Sequence, residues 1–263
     1  MKKTALIIGL LTLLGLIGFL VLKNRGSSTP APIEEAVDLP INVIPLVERP
    51  FITLSPDASG RSLNFTVANA PTTGDMEYEL VYQSVEKQEG VFGRLSLATE
   101  KSPITKSLLL GSKSGGGKVT YHEGVTGGSL TVTYNQTRLK ESWNFLTFDP
   151  SDPTISSTDA KFHVTIPAKG LTKGAKIVTL KTFGYPKAGL PAEISVKAGP
   201  YAYYPAVAVK GSVTVELKLP EGDHTNPTLY EWNGTIWKKL LTKLVGDAVT
   251  ATATGQAFLV ITE

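Results

Sequence analysis

Three aspartates in one short polar stretch are the residues of this chain best suited to bind a metal ion. Asp149, Asp152 and Asp159 lie in the segment DPSDPTISSTDA, where two prolines interrupt any regular strand. Calcium is bound by several carboxylate and carbonyl oxygens that converge on it. The spacing matches no defined calcium loop, so solvated turn aspartates are the alternative. Calcium is therefore the one candidate ion, and we expect no other cofactor.

Three tyrosines are the main candidate for ligand binding. Tyr201, Tyr203 and Tyr204 lie close together in the segment GPYAYYPA. Exposed aromatic rings stack on sugars or anchor protein partners. Aromatic residues are also common in strands, so packing between two sheets is the alternative.

The remaining polar residues form no catalytic motif. His122, His163 and His224 are far apart, and none belongs to an HxH or HxxxH pair. The SGGGK segment lacks the first glycine and the final Ser or Thr of a phosphate-binding loop. The absence of cysteine excludes disulfides, thiolate metal sites and a cysteine nucleophile. We therefore expect a protein that is not an enzyme.

A surface hydrolase is the alternative, because catalytic carboxylates can converge from distant strands without any local spacing. Glu77, Glu79 and Glu89 are the first candidates for that role. Strand alternation places Glu77 and Glu79 on the solvent face, which disfavours them.

The net charge gives no reason to expect nucleic acid as a partner. Lys2, Lys3, Lys23 and Arg25 flank the first apolar stretch and account for four of the 26 basic residues. The other 22 basic residues face 23 acidic ones, so the rest of the chain is close to neutral. Nucleic-acid binding needs a basic cluster on one face, and the sequence shows none.

The N-terminal segment is predicted to be a transmembrane anchor. Residues 4–22, TALIIGLLTLLGLIGFLVL, are uncharged and approach the length that spans a bilayer. Lys23 and Arg25 stand where a signal peptide has small residues for cleavage, which favours an uncleaved signal anchor over residues 1–25. A signal peptide cleaved at an unusual site is the alternative. The Pro- and Ser-rich residues 26–49 are predicted to be an extended tether.

The elements that must position these residues are strands. From Phe51 onward apolar residues recur with period two between turn-rich segments, and no apolar stripe has helical length. The pattern predicts an all-β fold with two tandem antiparallel β-sandwich domains behind the N-terminal transmembrane helix. Residues 50–148 form an immunoglobulin- or fibronectin-like sandwich, 149–158 a linker, and 159–263 a second sandwich.

The second block carries a series of segments in a specific order. These are FHVTIPAKGLTKGAKIVTLKTF, GPYAYYPA, KGSVTVELKLPEG, PTLYEWNGTIWKKL and VTATATGQAFLVI. In this order they resemble the β-sandwich domain shared by zonula occludens proteins, ankyrins and netrin receptors, as it occurs in bacterial surface proteins. Some members of that group cleave themselves at a His-Phe-Ser motif in the final strand. Gln256, Ala257 and Phe258 stand there in this chain, so the resemblance implies a binding or spacer domain without self-cleavage.

A tight hairpin is predicted within this block. Asn233 and Gly234 tolerate the positive φ angles of a type I′ turn, and Trp232 and Trp237 should frame that turn.

Together these features predict a single-pass cell-membrane protein, with the bulk of the chain outside the cytoplasm. The cysteine-free sandwiches favour a bacterial envelope. The expected role is structural or adhesive: the sandwiches bind a protein or glycan partner, or space one from the membrane.

Overall fold

The computed structural model describes residues 39–222 and 224–262, and this part of the chain is all β. Leu39–Glu263 form one compact unit. Besides the 3-10 turn Leu46–Glu48, its regular elements are strands. The strands are β1 (Phe51–Pro56), β2 (Ser62–Ala68), β3 (Asp75–Gln83), β4 (Gln88–Ser96), β5 (Ile104–Leu109), β6 (Gly111–Lys113), β7 (Val119–Tyr121), β8 (Gly127–Tyr134), β9 (Thr137–Thr147), β10 (Thr154–Ser156), β11 (Phe162–Thr165), β12 (Lys176–Lys181), β13 (Ser195–Pro205), β14 (Val213–Lys218), β15 (Thr228–Trp232), β16 (Trp237–Lys239), β17 (Lys243–Val245), β18 (Ala248–Ala253) and β19 (Ala257–Thr262).

The strands form one long sheet and three small ones. The long sheet has nine strands in the order β16-β15-β19-β13-β12-β9-β8-β3-β4. A three-stranded sheet has the order β1-β2-β5, a five-stranded sheet the order β10-β11-β14-β18-β17, and β6 and β7 form a hairpin. The ladders between these strands are antiparallel. The prediction of an all-β, antiparallel fold is therefore confirmed.

No helix within residues 39–222 and 224–262 is long and apolar enough to cross a membrane. The predicted transmembrane segment, residues 4–22, lies outside the described residues, as does most of the predicted tether.

Hydrophobic periodicity explains which faces are buried. In β3, Met76 and Leu80 are buried while Glu77 and Glu79 between them are exposed, because alternate side chains point to opposite faces. Strand β19 has the continuous apolar sequence AFLVIT, and its residues 257–261 are all buried. Such runs are typical of strands that are covered on both faces.

Two hydrophobic cores lie on the two faces of the long sheet. Ala257, Leu259 and Ile261 of β19 belong to the first core, which also contains the buried residues of the β1-β2-β5 sheet. Phe258 and Val260 point the other way, into the second core beneath the five-stranded sheet. Neighbouring side chains of β19 enter different cores. The three-stranded sheet and the five-stranded sheet therefore cover opposite faces of the long sheet.

The two sequence blocks meet inside the long sheet. Strand β9 belongs to residues 50–148 and pairs with β12 of the second block, with Trp143 opposite Leu180 and Leu146 opposite Ile177. Strand β10 lies within the predicted linker 149–158. The division of the chain into two sandwich domains stays a prediction.

The segment before β1 is attached to β9 through Asn42. Its backbone N–H donates to the Arg138 carbonyl at 2.9 Å, and its side-chain amide exchanges hydrogen bonds with the backbone of Lys140 at 2.9 and 3.0 Å. Arg49 donates to the Asn42 carbonyl at 2.7 Å. We call this arrangement the Asn42 latch.

Candidate ligand-binding site

The three candidate tyrosines lie on β13 and point to opposite faces of the long sheet. Tyr201 and Tyr203 are 4% and 2% exposed and pack in the second core. Tyr201 stacks on Phe162 with ring centroids 5.5 Å apart, and Tyr203 stacks on Phe258 at 6.2 Å. Tyr204 has the opposite orientation and packs, half-buried, against the first core. The structure therefore does not bring the three rings together on one exposed face.

Tyr204 lines a cavity of about 390 Å³. The cavity lies where β13, the loop after β15 and the turn between β18 and β19 approach one another. We call it the Tyr204–Trp232 cleft, and its lining residues are Tyr204, Trp232, Asn233, Gly234, Thr254, Gly255 and Gln256.

The two aromatic walls of the cleft, Trp232 and Tyr204, are fixed by contacts with neighbouring residues. The Trp232 ring lies 5.6 Å from the Trp237 ring and 6.2 Å from Phe51, centroid to centroid. A hydrogen bond joins Tyr204 to Thr53 of β1 and lowers the pKa of Tyr204, but burial outweighs it and raises that pKa above its usual value. The phenol is therefore neutral, and both rings offer fixed, uncharged surfaces.

A buried carboxylate fixes the floor of the cleft. Glu231 is 6% exposed, and its Oε2 accepts hydrogen bonds from the backbone N–H groups of Thr254 and Gly255 at 2.8 and 2.7 Å. Burial, together with the negative charge of Glu231, raises the pKa of nearby Tyr203 to about 12. A buried carboxylate needs such donors to offset the loss of water. Glu231 thereby holds the 254–256 turn against β15.

The turn also needs a residue without a side chain at position 255. A Cβ atom on Gly255 would lie 2.8 Å from the Trp232 carbonyl oxygen and 3.0 Å from the Glu231 Cβ. Both distances are too short for a relaxed contact. The floor of the cleft is therefore closely packed against the strand that carries Trp232.

The loop after β15 supplies the rim. Trp232 and Trp237 are directly opposed, so the predicted hairpin is confirmed. The predicted type I′ turn is wrong, because four residues separate the strands and, of Asn233 and Gly234, only Gly234 has positive φ, at 98°. Asn233 instead accepts hydrogen bonds through Oδ1 from the backbone N–H groups of Thr235 and Ile236 at 3.0 and 2.9 Å. Its acceptor atom is used within the loop, which leaves the amide N–H groups as the donors of the rim.

The cleft combines aromatic surface with uncharged polar groups. Its side-chain hydrogen-bonding groups are the amides of Asn233 and Gln256, the hydroxyl of Thr254, the phenol of Tyr204 and the indole N–H of Trp232. None of its lining residues is ionised at neutral pH. Thr254 and Gln256 are exposed at its edge. Aromatic rings with a few polar groups suit a ligand that is polar but uncharged.

The side chains of Asp149 and Asp159 accept hydrogen bonds from separate groups of donors. Asp149 Oδ1 accepts from the Ser151 N–H at 3.0 Å and from its hydroxyl at 2.8 Å, and the backbone bond is the main cause of the lowered pKa of Asp149. Lys173 lies 3.3 Å from its other oxygen. Asp152 is exposed and donates its backbone N–H to the Asp149 carbonyl.

Asp159 lies in the turn between β10 and β11, where it accepts hydrogen bonds from Ser157 at 2.6 Å and from Tyr201 at 2.5 Å. Within residues 39–222 and 224–262, no group of three or more His, Asp or Glu side chains is arranged to hold a metal ion. Calcium binding by these aspartates stays a hypothesis, with hydrogen-bonded turn aspartates as its alternative.

One histidine lies beside a candidate carboxylate, because His122 Nε2 is 3.7 Å from Glu89 Oε1, whereas the other histidines and Glu77 lie elsewhere. His122 Nδ1 bonds the Tyr82 hydroxyl at 2.9 Å, and His163 Nδ1 bonds the Ser156 hydroxyl at 2.7 Å on a different sheet. Glu77 is exposed and paired with Arg94. These contacts join neighbouring strands or loops, and none of these residues lines the Tyr204–Trp232 cleft.

Sequence reasoning placed Tyr204 in the site but did not place Trp232, Thr254 and Gln256 beside it. These residues are separated along the chain, and they meet because β19 pairs with both β13 and β15. The lone glutamate within the apolar sequence TLYEW was the available signal, because a charged residue in a buried strand must have a partner.

No model of a known protein family matches this chain, and a search of curated proteins found no relative.

Proposed function

We propose that this protein is a membrane-anchored, extracytoplasmic adhesive protein that binds an uncharged glycan in the Tyr204–Trp232 cleft. The single observation that carries the proposal is the pairing of two aromatic rings with an uncharged polar rim in one cavity. In this proposal the chain forms two tandem β-sandwich domains behind an N-terminal transmembrane helix. The resemblance of residues 159–263 to bacterial surface domains supports a binding role.

The chemistry of the lining favours a glycan over a peptide. Sugar rings present an apolar face that stacks on aromatic residues, and their hydroxyl groups exchange hydrogen bonds with amides and hydroxyls. A peptide with charged side chains finds no counter-charge among the lining residues. Glu231 and Gly255 already fix the floor of the cleft. A ligand therefore has to order few protein groups when it binds, and the loss of conformational entropy that opposes binding is small.

Tryptophan fluorescence provides a direct test. Trp143 and Trp237 are 1% and 2% exposed, whereas Trp232 is half-buried and faces the cleft. A neutral oligosaccharide that stacks on Trp232 should change the emission of the protein with a saturable dose dependence. Neutral and acidic oligosaccharides should be titrated in parallel, since the proposal expects binding of the neutral series only.

A matched pair of variants distinguishes the cleft from the rest of the surface. Gln256→Ala removes one exposed amide from the rim, and Gln88→Ala removes one exposed amide from β4. We expect Gln256→Ala to weaken binding about tenfold, which corresponds to the loss of one good hydrogen bond. Equal affinities of the two variants would contradict the proposed site, and an unchanged emission with every neutral oligosaccharide would contradict the proposed ligand class.

A further inference from the structure

A second surface feature lies at the connection between β16 and β17. Leu241 is 91% exposed, Val245 is 60% exposed and Leu244 is 55% exposed. Single exposed apolar residues are ordinary, but three within five positions form a local apolar surface. Leu241 and Leu244 also line a shallow cavity of about 610 Å³ beside the loop before β15.

The same stretch is basic. Residues 236–246, IWKKLLTKLVG, contain three lysines and no acidic residue. Lys238 and Lys243 are exposed on either side of Leu241. The next acidic residue, Asp247, is paired with Lys218 at 2.9 Å. We call this surface the basic leucine corner, and it consists of Lys238, Lys239, Leu241, Lys243, Leu244 and Val245.

The exposure of β17 on both of its faces favours a soft partner surface over a rigid one. All three residues of β17 are exposed, so apolar side chains project from both faces of this edge strand. A rigid protein surface covers one face, whereas the boundary between lipid headgroups and acyl chains can surround a protruding strand. Lys243, the first residue of β17, opposes the addition of a strand from another chain, because an edge lysine would have to be buried.

We propose that the basic leucine corner docks on a membrane surface that carries anionic lipid headgroups. Leu241, Leu244 and Val245 enter the boundary between headgroups and acyl chains, and the lysines contact the lipid phosphates. The proposal concerns a surface separate from the Tyr204–Trp232 cleft and goes beyond the glycan-binding function.

The test uses a chain that starts at residue 39, because residues 4–22 would themselves partition into lipid. This chain keeps both cores, whose members all lie between Phe51 and Ile261. Its co-sedimentation is measured with vesicles of phosphatidylcholine alone and with vesicles that also contain phosphatidylglycerol. We expect binding to the second kind only, and we expect salt to weaken it.

The exposed positions allow variants that leave the cores intact. Lys243→Gln should lower the partition coefficient about fivefold, and Leu241→Ala should lower it about tenfold or more. Phe92→Ala is the matched control, because Phe92 is 83% exposed on β4 opposite Glu79 and should leave binding unchanged. Melting curves of each variant establish that it is folded.

Three results would overturn the proposal. They are equal binding to both kinds of vesicle, unchanged binding by Leu241→Ala, and concentration-dependent self-association that Leu241→Ala abolishes. The last result would assign the corner to a second copy of the chain. The cleft variant Gln256→Ala should bind vesicles like the wild type, so a failure of the glycan proposal and a failure of this one remain distinguishable.

Discussion

The phenol of Tyr201 donates a 2.5 Å hydrogen bond to Oδ2 of Asp159, which joins β13 to the turn between β10 and β11. Burial raises the pKa of Tyr201, and the bond to Asp159 raises it further. Burial also acts to raise the pKa of Asp159, but hydrogen bonds from Ser157, Tyr201 and the Lys161 N–H together lower it below its usual value. The pair is therefore a neutral phenol bonded to an ionised carboxylate.

This bond should make stability depend on pH at the acidic end. A carboxyl with a lowered pKa in the folded state contributes stability above its unfolded pKa of about 4, and that contribution is lost as pH falls through the folded pKa. Tyr201→Phe should lower the free energy of unfolding by about 1–2 kcal/mol at pH 7, and by less at pH 3. Urea unfolding at both pH values measures it. Tyr203→Phe is the control, and an equal cost of Tyr201→Phe at both pH values would contradict the prediction.

Trp237 should contribute more to stability than any residue of the cleft wall. Its ring is 2% exposed, and its indole N–H donates to the Pro186 carbonyl at 2.6 Å. Trp237→Ala should lower the free energy of unfolding by about 3–5 kcal/mol. Ile236→Ala, at a neighbouring residue that is 41% exposed, should cost far less. A melting curve of Trp237→Ala that matches the wild type would refute this role.

Gly255→Ala should damage the cleft by displacing its floor. The added methyl group must push the turn away from the Trp232 carbonyl, at a cost of about 1–3 kcal/mol in stability. We expect weaker glycan binding together with lower stability, measured by fluorescence titration and urea unfolding. Gly115→Ala is the control, because a Cβ there would meet nothing within 4 Å. Wild-type affinity in Gly255→Ala would mean that the ligand does not contact the 254–256 turn.

Calcium should have little effect on stability. Asp149 and Asp159 already accept hydrogen bonds from protein donors, and an ion would have to displace Lys173 or Tyr201 from them. We expect the same melting temperature with millimolar calcium and with a chelator. A ligand that binds only the folded state raises its stability, so a higher melting temperature in calcium would show that the aspartates do bind the ion.

The membrane anchor can be tested on the full chain. Because Lys23 and Arg25 stand where cleavage would occur, the mature protein should begin at Met1 or Lys2 and remain in the membrane fraction after a high-salt wash. The chain that starts at residue 39 should be released by the same wash, since its proposed attachment at the basic leucine corner is electrostatic in part. Mature protein that begins between Gly26 and Ala36 would show that the segment is a cleaved signal peptide.

Local periodicity was sufficient to predict strands such as β2, β3, β8 and β14, because the burial of one face leaves a period of two in the sequence. It did not predict β10, which falls within the predicted linker. It did not predict that β9 and β12 pair, since an antiparallel ladder between separated strands leaves no local pattern. The apolar runs KIVTLK and AFLVIT were a usable signal for the covered centre of the sheet. The site was predictable only in part. Strand alternation directs Tyr203 and Tyr204 to opposite faces of the sheet, so the three tyrosines do not form one surface. Trp232 lies near Tyr204 only because β19 pairs with both β13 and β15, and the sequence does not show this pairing.

The Asn42 latch determines how a mechanical load enters the molecule. A force applied to the chain ahead of Leu39 reaches the hydrogen bonds between Asn42 and the backbone of β9 before it reaches β1. Strand β9 is an interior strand with β8 on one side and β12 on the other, so the force spreads laterally through two long ladders. A load on that end of the chain would thus enter the long sheet at an interior strand, before it reached the outer strands β4 and β16.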